Sequence, residues 1–325
     1  MLICIRTYYT NDKSKTMEGD KNVGKYIVKR VILAILTVFI ICAITFFTMH
    51  AVPGGPFNRE KALSEATIAA LNARYGLDKP LGEQFLLYLK GVLHGDFGVS
   101  LKNGREISAI IGESFPISAR LGLSAMAVAL ILGTVFGSTA ALMRNKAPDR
   151  IIVFFSTLFT AVPSFILATL LLLVFCIKLG WFPVWSPNNP NYVLPVIALS
   201  AYPMAYITRL SKTSMLDALS QDYIRTAKAK GVSNAKIIFG HALKNSLIPV
   251  ITYFGPMLAY IVTGSLVVER IFAVPGIGRA FVSSITNRDY PMVMGTTIVL
   301  AVLIVVMNLV SDILYKVVDP RITFD

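Results

Sequence analysis

Long runs without a charged residue alternate with short charged segments along this chain of 325 residues. Five of these runs have about the 17–25 residues with which a helix crosses the hydrocarbon core of a membrane. They are Val31–Met49, Leu121–Met143, Ile151–Ile177, Asn245–Val268 and Tyr290–Ser311. A shorter run, Val193–Thr208, contains Pro195 and Pro203 and predicts a kinked span. The pattern therefore predicts an all-α membrane protein with six transmembrane helices.

The composition favours the same interpretation. Charged residues make up 15% of the chain and hydrophobic residues 55%, whereas soluble domains carry roughly 25% charged residues. Buried helices of a soluble protein would require five unusually long apolar segments in one chain. The first run, Val31–Met49, is longer than the apolar region of a signal peptide, and no small-x-small cleavage site precedes Pro53. It therefore predicts an anchor that is retained.

The basic residues predict the orientation of the spans. The net charge of +13 would suggest nucleic acid binding in a soluble protein, but here its distribution matters more. Lys and Arg concentrate in three segments: seven up to Arg30, three in 144–150, and seven against two acids in 209–244. The turn 179–192 has none. Because basic loops stay on the cytoplasmic side, we expect both termini and these basic segments inside, with 53–116 and 269–291 outside.

The long outer loop 53–116 has its own helical patterns. Ile68, Leu71 and Tyr75 recur at the three- to four-residue spacing of one helical face, and a second helical pattern runs from Leu81 to Leu93. Loops of this length are usually functional or disordered. The apolar periodicity favours a folded extracytoplasmic cap.

A phosphate-binding motif is almost present at Gly19–Tyr26, which reads GDKNVGKY. Tyr26 stands where a magnesium-binding Ser or Thr is needed, and the segment runs straight into the first predicted span. No Ser/His/Asp set, carboxylate pair or HExxH motif has a usable context. We therefore expect no catalytic site, and any ATP chemistry would belong to another chain.

Metal and proton chemistry are also not indicated. Cys4, Cys42 and Cys176 have no CxxC spacing and are interpreted as small apolar fillers. The three histidines, His50, His94 and His241, are too scattered to form a local metal motif. Ionisable residues are nearly absent from the predicted spans, with Arg120 and Asp312 at their edges. This argues against a proton-coupled carrier. A sodium-coupled carrier that uses backbone carbonyls stays open, although the chain lacks the internal repeat of such folds.

The basic segment DYIRTAKAKGVSNAKIIFGHALKNSLIPV, 222–250, predicts two helices joined by a glycine corner. One helical face is assigned to Leu216, Leu219, Tyr223, Ala227 and Lys230. Gly231 then provides a left-handed residue, and Ser233 or Asn234 caps a second helix that continues to Pro249. The segment could lie on anionic lipid. Its face of Ala and Thr, together with the protruding corner, favours docking to a protein.

This segment resembles the EAA loop of type I ABC importer permeases. The match rests on Arg225-Thr226-Ala227, Gly231 and Leu243. Arg225 stands where the name-giving pattern has Glu, and Lys244 stands where it has Pro; the fuller string YIRTAKAKG…HALKNSLIP is similar to the peptide-permease branch. Six further stretches resemble the same branch: PGGPF at 53–57, YGLDKPL at 75–81, HGDFG at 94–98, VPSF at 162–165, VERIFAVPGIGRAF at 268–281 and RDYP at 288–291. The resemblance extends from Tyr26 to Pro320.

The resemblance implies the B-type permease subunit of a bacterial oligopeptide or dipeptide ABC importer in the inner membrane. Its implied partners are a second homologous permease, two ABC ATPase subunits that bind the ATP, and an extracytoplasmic peptide-binding protein that delivers the peptide. No cofactor of its own is implied. Importers of nickel or glutathione are related alternatives, and a secondary carrier or a membrane-anchored interaction protein are more distant ones. The Gly-Gly-Pro-Phe after the first span favours oligopeptides.

The implied organisation places a cytoplasmic tail at 1–30, the first helix at 31–52 and the outer loop at 53–116. The permease core follows at 117–318, with the EAA loop at 211–248, and a cytoplasmic tail at 319–325. In the family this loop carries ATPase motion into the spans. The residues to which the resemblance gives that coupling role are Asp222, Tyr223, Arg225, Thr226, Ala227, Lys228, Ala229, Lys230, Gly231 and Ser233.

Overall fold

The computed structural model describes residues 28–51, 76 and 78–318. Within these ranges the chain is helical, and its extended pairing is limited to isolated bridges at Val99 with Glu106 and at Ser186 with Asn189. The predictions for both tails, for the phosphate-loop look-alike and for the first helical pattern of the outer loop lie outside the described residues.

The helices of the first half pass from the N-terminal apolar segment to the middle of the chain. They are α1 Val28–Ala51, α2 Leu81–Leu93, α3 Ile107–Leu142, α4 Ala147–Ala161, α5 Ser164–Leu171 and α6 Val193–Ser220. A π-helical segment, Leu172–Lys178, continues α5.

Shorter helices precede the last long one in the second half. They are α7 Asp222–Ala229, α8 Leu243–Thr252, α9 Phe254–Ile271, α10 Ile277–Asn287 and α11 Tyr290–Val318. Another π-helical segment, Lys236–Ala242, leads into α8.

Four helices of the described residues are long and apolar enough to cross a membrane: α1, α3, α6 and the Tyr290–Val310 part of α11. A fifth is counted if α4 and the Ser164–Lys178 helix, bent by 104°, form one broken span. The all-α membrane architecture is confirmed, while the number six stays a prediction.

The predicted continuous span Ile151–Ile177 is therefore wrong in detail. Its helix ends at Ala161, Val162 takes an extended conformation (φ −84°, ψ 121°), and α5 begins after Pro163. A proline disfavours the helical conformation in the residue before it. VPSF is the sequence signal of this bend.

The predicted span Asn245–Val268 is also interrupted. Tyr253 separates α8 from α9. Pro256 lies in the first turn of α9 and has no amide hydrogen to donate to the carbonyl of Thr252, so the ladder of helical hydrogen bonds is broken at this point.

The last ten residues of the predicted outer loop 53–116 are helical. α3 begins at Ile107 and passes through Pro116, which was expected to end the loop. A proline inside a membrane helix is tolerated when neighbouring groups compensate the lost hydrogen bond. The second helical pattern of the loop is confirmed, because α2 spans Leu81–Leu93. Its Phe85 packs on α1, with ring centroids 5.2 Å from Phe46.

α3 and α6 form the centre of the molecule. Gly133 and Gly137 of α3 lie on α6, where a Cβ on Gly133 would come within 2.8 Å of Ile207 Cβ and one on Gly137 within 2.5 Å of Ser211 Cβ. The spacing is GxxxG, which lets two helix backbones approach closely in a membrane. Leu121, Ala125 and Ala129 extend this core along α3, and they are fully buried, as are Leu199 and Ile207 of α6.

Within the VERIFAVPGIGRAF stretch, the side chain of Glu269 caps the N-terminus of α10. The carboxylate of Glu269, which is fully buried, accepts a hydrogen bond from Ser118 Oγ at 2.7 Å and one from the Arg279 amide at 3.2 Å. Ser118 Oγ in turn accepts the Ile277 amide at 2.9 Å. A carboxylate is favourable at a helix N-terminus, so Glu269 joins α9, α10 and α3.

Candidate functional site

The glycine corner predicted in the basic segment is present. α7 ends at Ala229, Gly231 has φ +75°, and the helix resumes at Asn234 with Ser233 in the position before it. The Val232 amide donates to the Ala227 carbonyl at 3.1 Å and the Gly231 amide to the Lys228 carbonyl at 3.0 Å. These two bonds are the Schellman pattern, which requires a left-handed residue.

The predicted helical face from Leu216 to Lys230 is wrong, because α6 ends at Ser220 and α7 is a separate helix. Gln221 between them is extended (φ −70°, ψ 153°), and its carbonyl accepts the Ile224 amide at 3.1 Å. The Ser220 hydroxyl donates to the Asp217 carbonyl at 2.8 Å. Such local side-chain bonds satisfy the last carbonyls of a helix and compete with its continuation.

Ile224 anchors α7 to the rest of the protein. It is fully buried and packs in a cluster with Ala141 of α3, Met215 and Ala218 of α6, and Ile237 and Ala242 of the second π-helical segment. Ile224 was missed by the sequence analysis. The signal was present, since it is the one large aliphatic side chain in DYIRTAKA.

The candidate coupling residues lie together on the surface of α7 and its corner. Half-buried Ala227 apart, they are all exposed: Asp222, Tyr223, Arg225, Thr226, Lys228, Ala229, Lys230, Gly231 and Ser233. We call this set the α7 surface. Arg225 and Asp222 approach to 3.5 Å, but a pair so exposed contributes little to stability. The structure thus groups the predicted residues, while their coupling role stays a prediction.

Tyr223 connects the α7 surface to α8. Its ring is 40% exposed, and its hydroxyl accepts a hydrogen bond from Asn245 Nδ2 at 2.8 Å. Both residues line an open cavity together with Asp217 and Gln221. The cavity lies beside α7 and is lined by residues of α6, α7 and α8. A protein that docks on α7 would therefore also lie next to α6 and α8.

A charged pair holds the 144–150 turn next to the same end of α6. Lys212 Nζ bonds to the buried carboxylate of Asp149, whose other oxygen accepts the Asn145 amide at 2.9 Å. The pair links the beginning of α4 to the second half of α6. Among the residues that the structure describes, no cluster of His, Cys, Asp and Glu could hold a metal ion.

Two family models match this chain. Residues 133–324 match the family described as binding-protein-dependent transport system inner membrane component, and residues 23–122 match the N-terminal family of such membrane components.

Individual relatives match over nearly their whole length. The dipeptide transport system permease protein DppB of Bacillus subtilis is 45% identical over 301 residues, which cover 92% of this chain and 98% of the relative. The oligopeptide transport system permease protein OppB of Haemophilus influenzae is 42% identical over 304 residues, covering 92% and 99%.

Among solved structures, a crystal structure of an amino acid ABC transporter with histidines resembles the fold. The TM-score is 0.51 at 15% sequence identity, and the match covers 66% of this chain and 95% of that one. At this identity the likeness concerns the fold alone.

Proposed function

This chain belongs to the family of binding-protein-dependent transport system inner membrane components, and from that premise we propose that it is the membrane-spanning permease subunit of an ATP-driven peptide importer. Relatives at 40–45% identity carry the names of dipeptide and oligopeptide permeases, which supports peptides as the cargo. The proposed partners are a second homologous permease, two ATPase subunits and an extracytoplasmic binding protein that delivers the peptide. The proposed location is the bacterial inner membrane, with the α7 surface on the cytoplasmic side.

The observation that carries the proposal is a short exposed helix anchored through Ile224 beneath its outer surface. A helix that lies on lipid must present apolar side chains to the membrane. The one large aliphatic side chain of α7 is instead buried inside the protein, and the remaining surface consists of small, polar and basic groups. The α7 surface is therefore better suited to a protein groove than to a bilayer.

Motion of a docked ATPase can reach the spans through three contacts. Ile224 packs against Met215 of α6 and Ala141 of α3, so a displacement of α7 presses on the central helix pair. The bond from Asn245 to Tyr223 adds α8. Because packed interiors transmit strain, α7 would move α6 and α8 together rather than bend alone.

Charge favours the same kind of partner. Arg225, Lys228 and Lys230 are exposed on α7 and just after it, with Asp222 at its start. Basic groups at the edge of an interface raise the rate of association with an acidic surface and fix its orientation. We propose that the ATPase presents acidic residues around the groove that receives α7.

The test is ATP-driven uptake of a labelled dipeptide and a labelled longer peptide by proteoliposomes that contain the purified complex and its binding protein. We expect two ATPase subunits and a second permease to purify with this chain, and uptake to require ATP. Competition by unlabelled peptide, but not by Ni²⁺ or glutathione, would support peptide cargo. Uptake driven by an ion gradient without ATP would overturn the proposal in favour of a secondary carrier.

A further inference from the structure

Four tyrosines form two stacked pairs beside the centre of α6. Tyr202 and Tyr260 have ring centroids 4.7 Å apart with an interplanar angle of 28°. Tyr206 and Tyr253 lie 4.1 Å apart at 26°. Residues four apart share one face of a helix, so Tyr202 and Tyr206 place the two pairs one above the other. We call these four residues the tyrosine ladder.

The tyrosine ladder coincides with both helix interruptions described above. Tyr253 is itself the residue that separates α8 from α9. Tyr260 lies on α9, which packs against α5, and α5 begins at Ser164 after the 104° bend. Two broken elements therefore meet α6 at the same place, and aromatic hydroxyl-bearing side chains fill the junction.

This arrangement is unfavourable against lipid. Tyrosines of membrane proteins concentrate at the two interfaces, whereas Tyr202 lies near the centre of the predicted span Val193–Thr208 and Tyr253 lies within the predicted span Asn245–Val268. Interrupted helices at membrane depth are tolerated where they are buried in protein or line a water-filled cavity. α6 is also the least apolar of the four long candidate spans. These features indicate contact with a polar environment.

The ladder is only partly covered by this chain. Tyr206 is 37% exposed, and the other three rings are half-buried. Transporters place their substrate sites at interrupted helices near the middle of the membrane. We propose that the tyrosine ladder lines the translocation path and contacts the peptide in transit. This inference rests on the proposed peptide-importer function.

The chemistry of the ladder suits a peptide of variable sequence. Ring faces make favourable contacts with aromatic side chains and with other apolar groups. The phenol hydroxyls donate and accept hydrogen bonds, as backbone amides and carbonyls require. A phenol is a polar group without a formal charge, so the ladder contacts peptide groups without selecting for the sign of the cargo's charge. Aromatic peptides gain most from the rings.

The first experiment compares ATP-driven uptake of dialanine and diphenylalanine by complexes that carry Tyr206→Ala, Tyr206→Phe or the control Ile131→Ala. Ile131 lies on α3 and is 62% exposed. We expect Tyr206→Ala to lower uptake of diphenylalanine relative to dialanine by roughly three- to tenfold. Tyr206→Phe and Ile131→Ala should keep the wild-type ratio. A purely structural role would slow both dipeptides equally, and an unchanged ratio in Tyr206→Ala would overturn the inference.

The second experiment does not depend on uptake. In a chain whose native cysteines are replaced, Tyr206→Cys should react with a water-soluble thiol reagent and be protected by peptide, while Ile131→Cys should not react. Failure of Tyr206→Cys to react in every nucleotide state would place the ladder against lipid or the second permease and would overturn the inference. Absence of any peptide uptake by wild-type complex, with Tyr206→Cys still reactive, would instead contradict the proposed function.

Discussion

The carboxylate of Asp289 holds Ser100 from a position 189 residues later in the chain. Ser100 Oγ donates to Asp289 Oδ2, and the Leu101 amide donates to Oδ1 at 3.1 Å. Both Ser100 and Asp289 are buried, at 1% and 3% exposure. The segment after α2 is thereby attached to the turn between α10 and α11. Asp289 belongs to the RDYP motif, and Ser100 follows the HGDFG motif by two residues.

The contact predicts a stability loss when Asp289 is changed. Asp289→Ala leaves the Ser100 hydroxyl and the Leu101 amide without their acceptor, which should cost roughly 1.5–3 kcal/mol for a hydrogen bond to a charged group. Asp289→Asn keeps one acceptor oxygen and should cost less. The measurement is the thermal unfolding midpoint of the purified complex in detergent.

Glu113→Gln is the matched control for Asp289. It removes the ion pair with Arg105, which is 2.6 Å long but half or more exposed on both side chains. Exposed pairs contribute between nothing and about 1 kcal/mol, so this variant should melt close to wild type. Equal midpoints for Asp289→Ala and Glu113→Gln would show that the buried contact does not stabilise the fold.

The contact between α3 and α6 predicts a steric effect at Gly137. A methyl group there would meet Ser211 Cβ within 2.5 Å and the Thr208 carbonyl. Overpacking of this kind typically costs about 1–3 kcal/mol. Gly137→Ala should therefore lower the yield of folded, detergent-stable protein measured by size-exclusion chromatography.

Gly112 provides the comparison within the same helix. Nothing lies within 4 Å of a Cβ at Gly112, and alanine is the better helix former by roughly 0.5–1 kcal/mol. Gly112→Ala should keep or raise the yield. A loss of yield in Gly112→Ala as large as in Gly137→Ala would mean that close helix packing is not the cause.

The sequence predicted the elements whose signals are local. The uncharged runs predicted α1, α3, α6 and α11, and the Leu81–Leu93 pattern predicted α2. Gly231 predicted the corner, because the turn after a helix often requires a left-handed residue and glycine adopts that conformation most easily. The interruption before Pro163 was present in the sequence but was read as part of one span, because hydropathy over a long window does not register a change of direction.

The candidate site was predictable in its surface but not in its support. α7 is marked by its basic residues and its glycine, whereas the burial of Ile224 depends on Ala141, far away in the chain. The separation of α6 from α7 depends on hydrogen bonds of Ser220 and Gln221, which compete with a helical continuation. The meeting of Tyr253 and Tyr206 is likewise a tertiary contact.

The distribution of basic residues predicts that Asn189 and Lys146 lie on opposite sides of the membrane. Both are exposed, Asn189 in the turn before α6 and Lys146 in the turn before α4. Because the 144–150 turn is basic and 179–192 carries no Lys or Arg, Asn189→Cys should react with an impermeant thiol reagent on intact cells. Lys146→Cys should react only after the membrane is broken. The reverse pattern would invert the orientation of the whole protein.

The backbone of Gly231 makes the sharpest test of the α7 surface. Nothing lies within 4 Å of a Cβ at this position, so a side chain there meets no neighbour and its effect comes from the positive φ of +75°. A left-handed conformation costs most residues roughly 1–2 kcal/mol, whereas asparagine is one of the few residues other than glycine that adopt it. Gly231→Val should therefore alter the corner, and Gly231→Asn should leave it intact.

We predict that Gly231→Val and Ala227→Asp weaken attachment of the ATPases and stop ATP-driven peptide uptake, while Gly231→Asn retains both. Ala227 is half-buried at the Ile224 cluster, so an aspartate there places an unpaired charge beside Ile224 and Met215. None of these positions lies in a candidate span, so all three variants should reach the membrane in equal amounts. The measurement is uptake by proteoliposomes matched for the content of this chain, with the bound ATPases counted on a gel. A lipid-surface role for α7 predicts wild-type uptake in Gly231→Val, because a basic helix keeps its affinity for anionic headgroups after one glycine is replaced. That outcome, with the ATPases still attached, would remove the α7 surface from the coupling mechanism.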